Sequence, residues 1–270
     1  MFYSHVRREP GGRHYCQLAV TKSTDLVTWT EPQLFTPEDL NLNYCSPGNV
    51  VRYADQWLLC TQTYPRPVDD PGANQNARIF KMASEDLEQW GEPELLRVKG
   101  PEVPESEMGR MIDAYFVPDK DHPHKWWCFF KQNGAGMSYT YDFETWTYYD
   151  KIEAGENACV LIDREADEYV LIHAPRNGIG IKRSKDLLQW RDLGVWTLGQ
   201  SKDWPWARGR LTAGHVLDLR GEPSVGKYVL FYHGDTEEGV REQETHGEAS
   251  LALAWSDDLL HWSWPGRVTP

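Results

Sequence analysis

Along this 270-residue chain the apolar positions fall in short runs, and the runs have the period of strands rather than helices. Four runs are rich in aromatic and β-branched residues: Trp57-Leu58-Leu59-Cys60, Lys125-Trp126-Trp127-Cys128-Phe129-Phe130, Glu168-Tyr169-Val170-Leu171-Ile172-His173 and Lys227-Tyr228-Val229-Leu230-Phe231-Tyr232. That composition suits a central strand packed on both faces. Before each lies a shorter apolar segment: Gly48-Asn49-Val50-Val51-Arg52, Ala114-Tyr115-Phe116-Val117, Ala158-Cys159-Val160-Leu161-Ile162 and His215-Val216-Leu217-Asp218-Leu219. Alternating segments make a third set, in Gln17-Leu18-Ala19-Val20, Arg78-Ile79-Phe80-Lys81-Met82, Gly180-Ile181-Lys182-Arg183 and Ser250-Leu251-Ala252-Leu253-Ala254. Helical periodicity is nearly absent.

A repeat organises these strands. Ser23-Thr24-Asp25-Leu26-Val27-Thr28-Trp29 returns as Ser84-Glu85-Asp86-Leu87-Glu88-Gln89-Trp90, as Ser184-Lys185-Asp186-Leu187-Leu188-Gln189-Trp190 and as Ser256-Asp257-Asp258-Leu259-Leu260-His261-Trp262. A looser copy, Tyr141-Asp142-Phe143-Glu144-Thr145-Trp146, makes five. Successive repeat tryptophans lie 61, 56, 44 and 72 residues apart, the length of one four-stranded sheet with its loops. Each copy predicts three strands, a turn at Asp with Leu plugging the core, and a last strand opened by Trp. A lone four-stranded sheet leaves both faces wet, so five of them must stack radially. The predicted fold is all-β, a five-bladed β-propeller in one domain, with blades at about 1–38, 41–98, 109–152, 153–200 and 208–268. The first blade lacks its innermost strand, because Phe2-Tyr3-Ser4-His5-Val6 fits a second strand. Either the chain begins late relative to its relatives, or another segment or subunit fills that gap, which leaves a homo-oligomer open.

Charge and cysteine usage narrow the partners. With 28 basic against 41 acidic residues the net charge is −13, which excludes a phosphate-coated nucleic acid. No apolar run is long enough to cross a bilayer, and the first residues carry no secretory core, so a soluble chain with no membrane partner is expected. The chain as given reads as cytoplasmic, with secretion or the periplasm open should a leader precede Met1. Cys16, Cys45, Cys60, Cys128 and Cys159 are widely spaced and read as reduced structural thiols. Thirteen Trp and thirteen Tyr serve either packing between sheets or stacking on sugar faces.

In a propeller the start of each innermost strand points to the axis, so residues remote in sequence meet there. The blades offer Ser46, Asp113, Glu156 and His215 at what look like equivalent positions, in Cys45-Ser46-Pro47-Gly48, Met111-Ile112-Asp113-Ala114, Gly155-Glu156-Asn157-Ala158 and Ala213-Gly214-His215-Val216. Arg110 and Arg210 lie on segments leading inward, where a guanidinium binds sugar hydroxyls or holds a carboxylate. Trp204 and Trp206 either stack on a sugar ring or cap the blade. Asn157 and His233 are further hydroxyl partners. Taken singly, Asp113 reads equally as a strand-end cap, Glu156 as a solvated turn residue and His215 as a core histidine.

The repeat, with these inner-strand residues, resembles the five-bladed β-propeller glycoside hydrolases, chiefly families 43 and 32, over essentially the whole chain. The resemblance implies a catalytic Asp113 in the third blade and a catalytic Glu156 in the fourth that protonates the leaving oxygen. It also implies a fifth-blade His215 close to a central ion, calcium being the candidate, although no cofactor is required for hydrolysis. The family's first-blade Asp would lie on the strand this chain lacks, and the second blade offers Ser46 instead of a carboxylate. The expected function is therefore hydrolysis of a terminal sugar or short oligosaccharide. The alternative is an impaired propeller that binds carbohydrate without cleaving it, and a protein scaffold comes third.

Overall fold

The computed structural model describes residues 1–10, 13–67, 69–70, 72–200, 206–207, 209–235 and 250–265. The chain divides into two compact units, Met1–Glu153 and Ala154–Pro270. Together they carry five antiparallel sheets in chain order, the sheet count and strand order of a five-bladed β-propeller. Among the described residues no helix is long and apolar enough to cross a membrane.

The first unit holds three sheets. The first is β1 (Phe2–Arg8), β2 (His14–Val20) and β3 (Gln33–Leu34), three strands as the sequence pattern predicts. In the second, β4 (Tyr44–Cys45) and β5 (Val50–Tyr53) both pair with β6 (Gln56–Thr63), followed by β7 (Ile79–Ser84) and β8 (Glu94–Leu95). The innermost strand is thus broken at Ser46-Pro47-Gly48, where proline supplies no ladder donor. A Cβ at Gly48 would lie 1.8 Å from the Ala114 carbonyl oxygen, so only glycine fits this crossing. Beside it Asn49 completes the third sheet's edge, accepting from the Phe116 N–H at 2.8 Å and donating to the Phe116 carbonyl at 2.7 Å. The third sheet is β9 (Ile112–Pro118), β10 (Trp126–Lys131), β11 (Ala135–Thr140) and β12 (Thr147–Ile152).

Two sheets form the second unit. The fourth is β13 (Glu156–Asp163), β14 (Glu168–Ala174), β15 (Ile179–Ser184) and β16 (Arg191–Trp196). The fifth is β17 (Arg210–Leu219), β18 (Lys227–Asp235), β19 (Ser250–Ser256) and β20 (Trp262–Ser263).

The repeat turn is the same object five times. Its Ser or Thr hydroxyl accepts from the N–H three residues on, at 2.8 Å for Leu26, 2.9 Å for Leu87, 3.0 Å for Phe143, 2.9 Å for Leu187 and 3.0 Å for Leu259. One Asp oxygen then accepts two further amides, for example Leu188 and Gln189 at 2.9 Å each onto Asp186. The apolar residue between sits at φ between 60° and 65° in all five turns. A left-handed leucine is strained, and the side-chain hydrogen bonds hold it there. The amides of Thr28 and Val27 draw the Asp25 carboxyl down to about 2. At Asp258 burial opposes ionisation but is outweighed by the His261 ring and the His261 and Leu260 amides, which again bring it to about 2.

Two details of that repeat differ from the sequence expectation. Phe143, Leu187 and Leu259 are buried plugs, whereas Leu26 and Leu87 are only half-buried. Trp262 does open a strand, but after Trp29 and Trp90 the last strand is delayed to Gln33 and Glu94. Glu31-Pro32 and Glu92-Pro93 intervene there, and a proline cannot donate to the ladder.

Aromatic rings fill the spaces between sheets. Trp90 meets Phe2 edge-on at 5.4 Å and stacks on Phe35 at 6.0 Å, and Phe116 stacks on Trp146 at 6.0 Å. In the second unit Trp196 and Trp262 lie 5.9 Å apart. All five cysteines are free thiols, four of them buried and Cys16 half-buried.

Candidate functional site

In the first unit the site elements are built on a strained backbone. Ser46 and Asp113 both have left-handed conformations, at φ 46° and 56°. Asp tolerates this region better than most residues, and the strain must be held by its surroundings. The holder is Gln62, buried at the end of β6, whose side-chain oxygen accepts from the Asp113 N–H at 2.7 Å. Ser46 is fixed in turn by donation from its N–H to the Ser4 hydroxyl at 2.7 Å. The two residues belong to one neighbourhood. The buried Cys45 thiol is pushed up by its hydrogen bond to Cys16, by burial, and to a smaller extent by the Asp113 carboxylate. Arg110 leads into β9 with its guanidinium 5.6 Å from the Tyr64 ring centre, while the Gln132 amide holds the Met108 and Arg110 carbonyls at 2.9 and 3.0 Å.

In the second unit the left-handed residue is Asn157, at φ 52°, not Glu156. This corrects the expected positional equivalence of Asp113 and Glu156. A bulge falls between Ile112 and Tyr115 of β9 and between Glu156 and Cys159 of β13, which makes Asn157 the counterpart of Asp113 and sets Glu156 one residue earlier. The third sheet in this series, at β17, bulges between Ala213 and His215. There Gly214 takes the inserted place, because a Cβ on it would lie 2.2 Å from the Phe231 carbonyl oxygen.

Glu156 and Arg210 are brought together. The Arg210 guanidinium lies 3.8 Å from the Glu156 carboxylate, with side chains 33% and 44% exposed, so the acid is tethered yet reachable. The same guanidinium group donates to the Pro175 carbonyl at 3.4 Å. Glu156 is also fixed from behind: the Gly155 N–H donates to Nδ1 of the buried His173 at 3.0 Å, which puts the proton of the neutral ring on Nε2. Gly155 itself admits no side chain, since a Cβ would lie 1.9 Å from the Ala174 carbonyl oxygen.

Around Arg210 three buried polar atoms have no hydrogen-bond partner among the described residues: Arg210 Nε, Thr212 Oγ1 and Asp235 Oδ1. Arg210 stands opposite Asp235 in the β17–β18 ladder, and Thr212 opposite His233, so the four occupy one end of the fifth sheet. Burying polar atoms without partners costs about 1–3 kcal/mol each, and a ligand rich in hydroxyls would relieve it.

The remaining expected residues fall as follows. His215 is half-buried beside the β17 bulge, and burial pushes its imidazole down to about 4. Trp206 packs against the Tyr232 ring at 6.0 Å, and a Cβ at Gly234 would lie 3.0 Å from its indole. Trp204 lies outside the described residues. Among the described residues no group of three or more His, Cys, Asp or Glu side chains is placed to hold a metal ion. A hard calcium ion wants oxygen ligands, which the His215 imidazole does not supply.

The sequence reading passed over Gln62, Gln132 and His173, which position the loops, and Asp235 and Thr212. A signal for the first three exists: each closes an otherwise apolar central strand with a polar residue, as in Leu59-Cys60-Thr61-Gln62, Phe129-Phe130-Lys131-Gln132 and Ile172-His173.

No protein-family model matches the chain, and no curated protein matches it. Solved structures do. An exo-1,5-alpha-L-arabinanase from a bovine ruminal metagenomic library superposes with a TM-score of 0.57 at 14% identity, over 93% of this chain and 91% of that one. A fructofuranosidase from Schwanniomyces occidentalis complexed with fructosylnystose gives 0.57 at 14%, over 81% and 44%. A glycosyl hydrolase from Bacteroides ovatus gives 0.56 at 13%, over 78% and 66%. At such identities the likeness is one of fold, and the chain has the fold of the five-bladed β-propeller glycosidases.

Proposed function

We propose that the chain is a glycoside hydrolase acting on a terminal sugar or short oligosaccharide, with Glu156 as proton donor. The supporting observation is the tethered but reachable Glu156 carboxylate beside Arg210, at a sheet end where Arg210 Nε, Thr212 Oγ1 and Asp235 Oδ1 are buried without partners among the described residues. Glycosidic cleavage needs one carboxyl group to protonate the departing oxygen and another to attack carbon or activate water. Glu156 takes the first role, and its proton goes to the leaving alcohol. Arg210 keeps the carboxylate oriented and offers Nε to a sugar hydroxyl. Two carboxylates are tested for the second role: Asp113, which the family resemblance points to, and Asp235, which faces Arg210 across the ladder. Within the second unit, His215, His233, Asn157 and Trp206 are assigned to sugar contact.

The experiment is hydrolysis of a panel of aryl arabinosides, xylosides, fructosides and mannosides by the intact chain and by Glu156→Gln, Asp113→Asn and Asp235→Asn. Loss of a positioned acid or base lowers turnover by roughly 10²- to 10⁴-fold. Activity that survives Glu156→Gln refutes the assignment. Saccharide binding without turnover in the intact chain selects the impaired, carbohydrate-binding reading, which the presence of Ser46 in place of a carboxylate favours.

A further inference from the structure

The first unit contains a cavity of about 790 Å³ whose lining includes Lys99, Arg110, Lys131 and Lys151, with Tyr64 and Gln132, and, among the described residues, no carboxylate. That is the opposite of what the composition favours, since acidic residues outnumber basic ones by 41 to 28. Elsewhere several lysines are answered by acids: Lys22 by Glu88, Lys81 by Glu94 and Glu144, Lys182 by Asp192, Lys227 by Asp257. Among the described residues none of the four cavity cations makes such a pair. Crowding positive charge has a cost that shows at Lys99, whose ammonium is pulled below its usual range by burial and by nearby Arg78. Arg110 is held in place on both sides, by the Tyr64 ring and by the Gln132 amide that grips its carbonyl.

We infer that this cavity is a binding site for an anionic substituent, a carboxylate or a sulfate or phosphate ester, carried on a saccharide. The volume lies in the range of small-molecule sites, and the lining is polar rather than greasy, which suits a hydroxylated ligand. An arginine fork accepts an oxyanion with two parallel hydrogen bonds, and lysines add point charges around it. The cavity borders Gly109-Arg110, three residues before Asp113. The inference rests on the proposed glycosidase function and names its substrate class: acidic oligosaccharides rather than neutral ones.

The test is calorimetric titration of the intact chain with trigalacturonate, a sulfated trisaccharide, neutral xylotriose and inorganic phosphate, at two salt concentrations. Lys131→Gln and Lys151→Glu are measured beside it; Lys151 is exposed, so the latter leaves folding intact. One or both acidic trisaccharides bind at least about tenfold more tightly than xylotriose, weaken as salt rises, and lose about tenfold in each variant. Equal affinity for xylotriose, or acidic binding untouched by both variants, overturns the inference. Phosphate binding as tightly as either acidic trisaccharide overturns the saccharide part. Glu156→Gln separates the two claims: it keeps acidic-trisaccharide binding and abolishes turnover, so hydrolysis of neutral glycosides alone refutes the cavity's role and leaves the glycosidase reading standing.

Discussion

Replacing Gly155 by alanine tests how the candidate acid is positioned. Its Cβ would stand 1.9 Å from the Ala174 carbonyl oxygen, 2.5 Å from the carbonyl carbon and 2.8 Å from the Pro175 nitrogen. A carbon–oxygen contact settles at about 3.3 Å or more, so roughly 1.4 Å must open between the start of β13 and the end of β14. The obstructing atoms are backbone, which cannot rotate away. Three restraints on Glu156 move together: the Gly155 N–H to His173 hydrogen bond, the Pro175 carbonyl that takes the Arg210 guanidinium, and the Arg210–Glu156 contact. A reacting group displaced by about 1 Å loses on the order of 10² in rate. Overpacking of this kind costs about 1–3 kcal/mol of stability, and each kcal/mol shifts Tm by about 2–4 °C in a chain of this size. The assay pairs a thermal melt with kcat on whichever aryl glycoside the intact chain cleaves. Gly155→Ala is expected to remain folded with a lowered Tm and a kcat reduced about a hundredfold, while KM changes little. A variant with unchanged kcat and Tm refutes the claim that this crossing aims Glu156.

Two further outcomes concern stability. Phe143 is 1% exposed and touches the rings of Phe116, Trp126 and Trp146, so Phe143→Ala is expected to cost about 3–5 kcal/mol by denaturant titration; a loss below about 1 kcal/mol contradicts its role as a plug. His215 has an ordinary value of 6.5 and a folded value of about 4, so the folded state resists the proton that the unfolded chain accepts. Its contribution is full above pH 6.5 and fades as pH falls towards 4, by on the order of 2–3 kcal/mol, and His215→Gln should flatten stability over that window. The turn aspartates act lower: held near 2 against an ordinary 3.8 at Asp25 and Asp258, they keep their stabilising effect above pH 3.8 and lose it towards pH 2. Urea titrations at pH 7, 5 and 3 separate the two windows, and identical midpoints at pH 7 and 5 contradict the histidine assignment.

Strand type and sheet count were legible in the chain because both are local. Period-two apolar runs name strands, and the Ser-x-Asp-Leu turn is closed by its own side chains within about five residues, so its five copies read directly as five sheets. The three-stranded first sheet followed from counting strands before Trp29. Even the delayed outer strands at Gln33 and Glu94 were written in Glu31-Pro32 and Glu92-Pro93, a local signal overlooked.

What depended on contacts between distant residues was not legible. Nothing in Met111-Ile112-Asp113-Ala114 says that Gln62, fifty-one positions earlier, holds the Asp113 amide, and nothing in Gly155-Glu156-Asn157 tells which residue takes the left-handed bend. A bulge moves the register by one residue, and neighbouring motifs look alike whether or not that shift has occurred. The pairing of Arg210 with Glu156 and the meeting of Lys99, Arg110, Lys131 and Lys151 in one cavity likewise join separate segments. Local sequence determines backbone preference and strand identity, because those energies act within a few residues. Charge placement and ligand geometry were decided by the tertiary structure, because they depend on distances that only the packed sheets set.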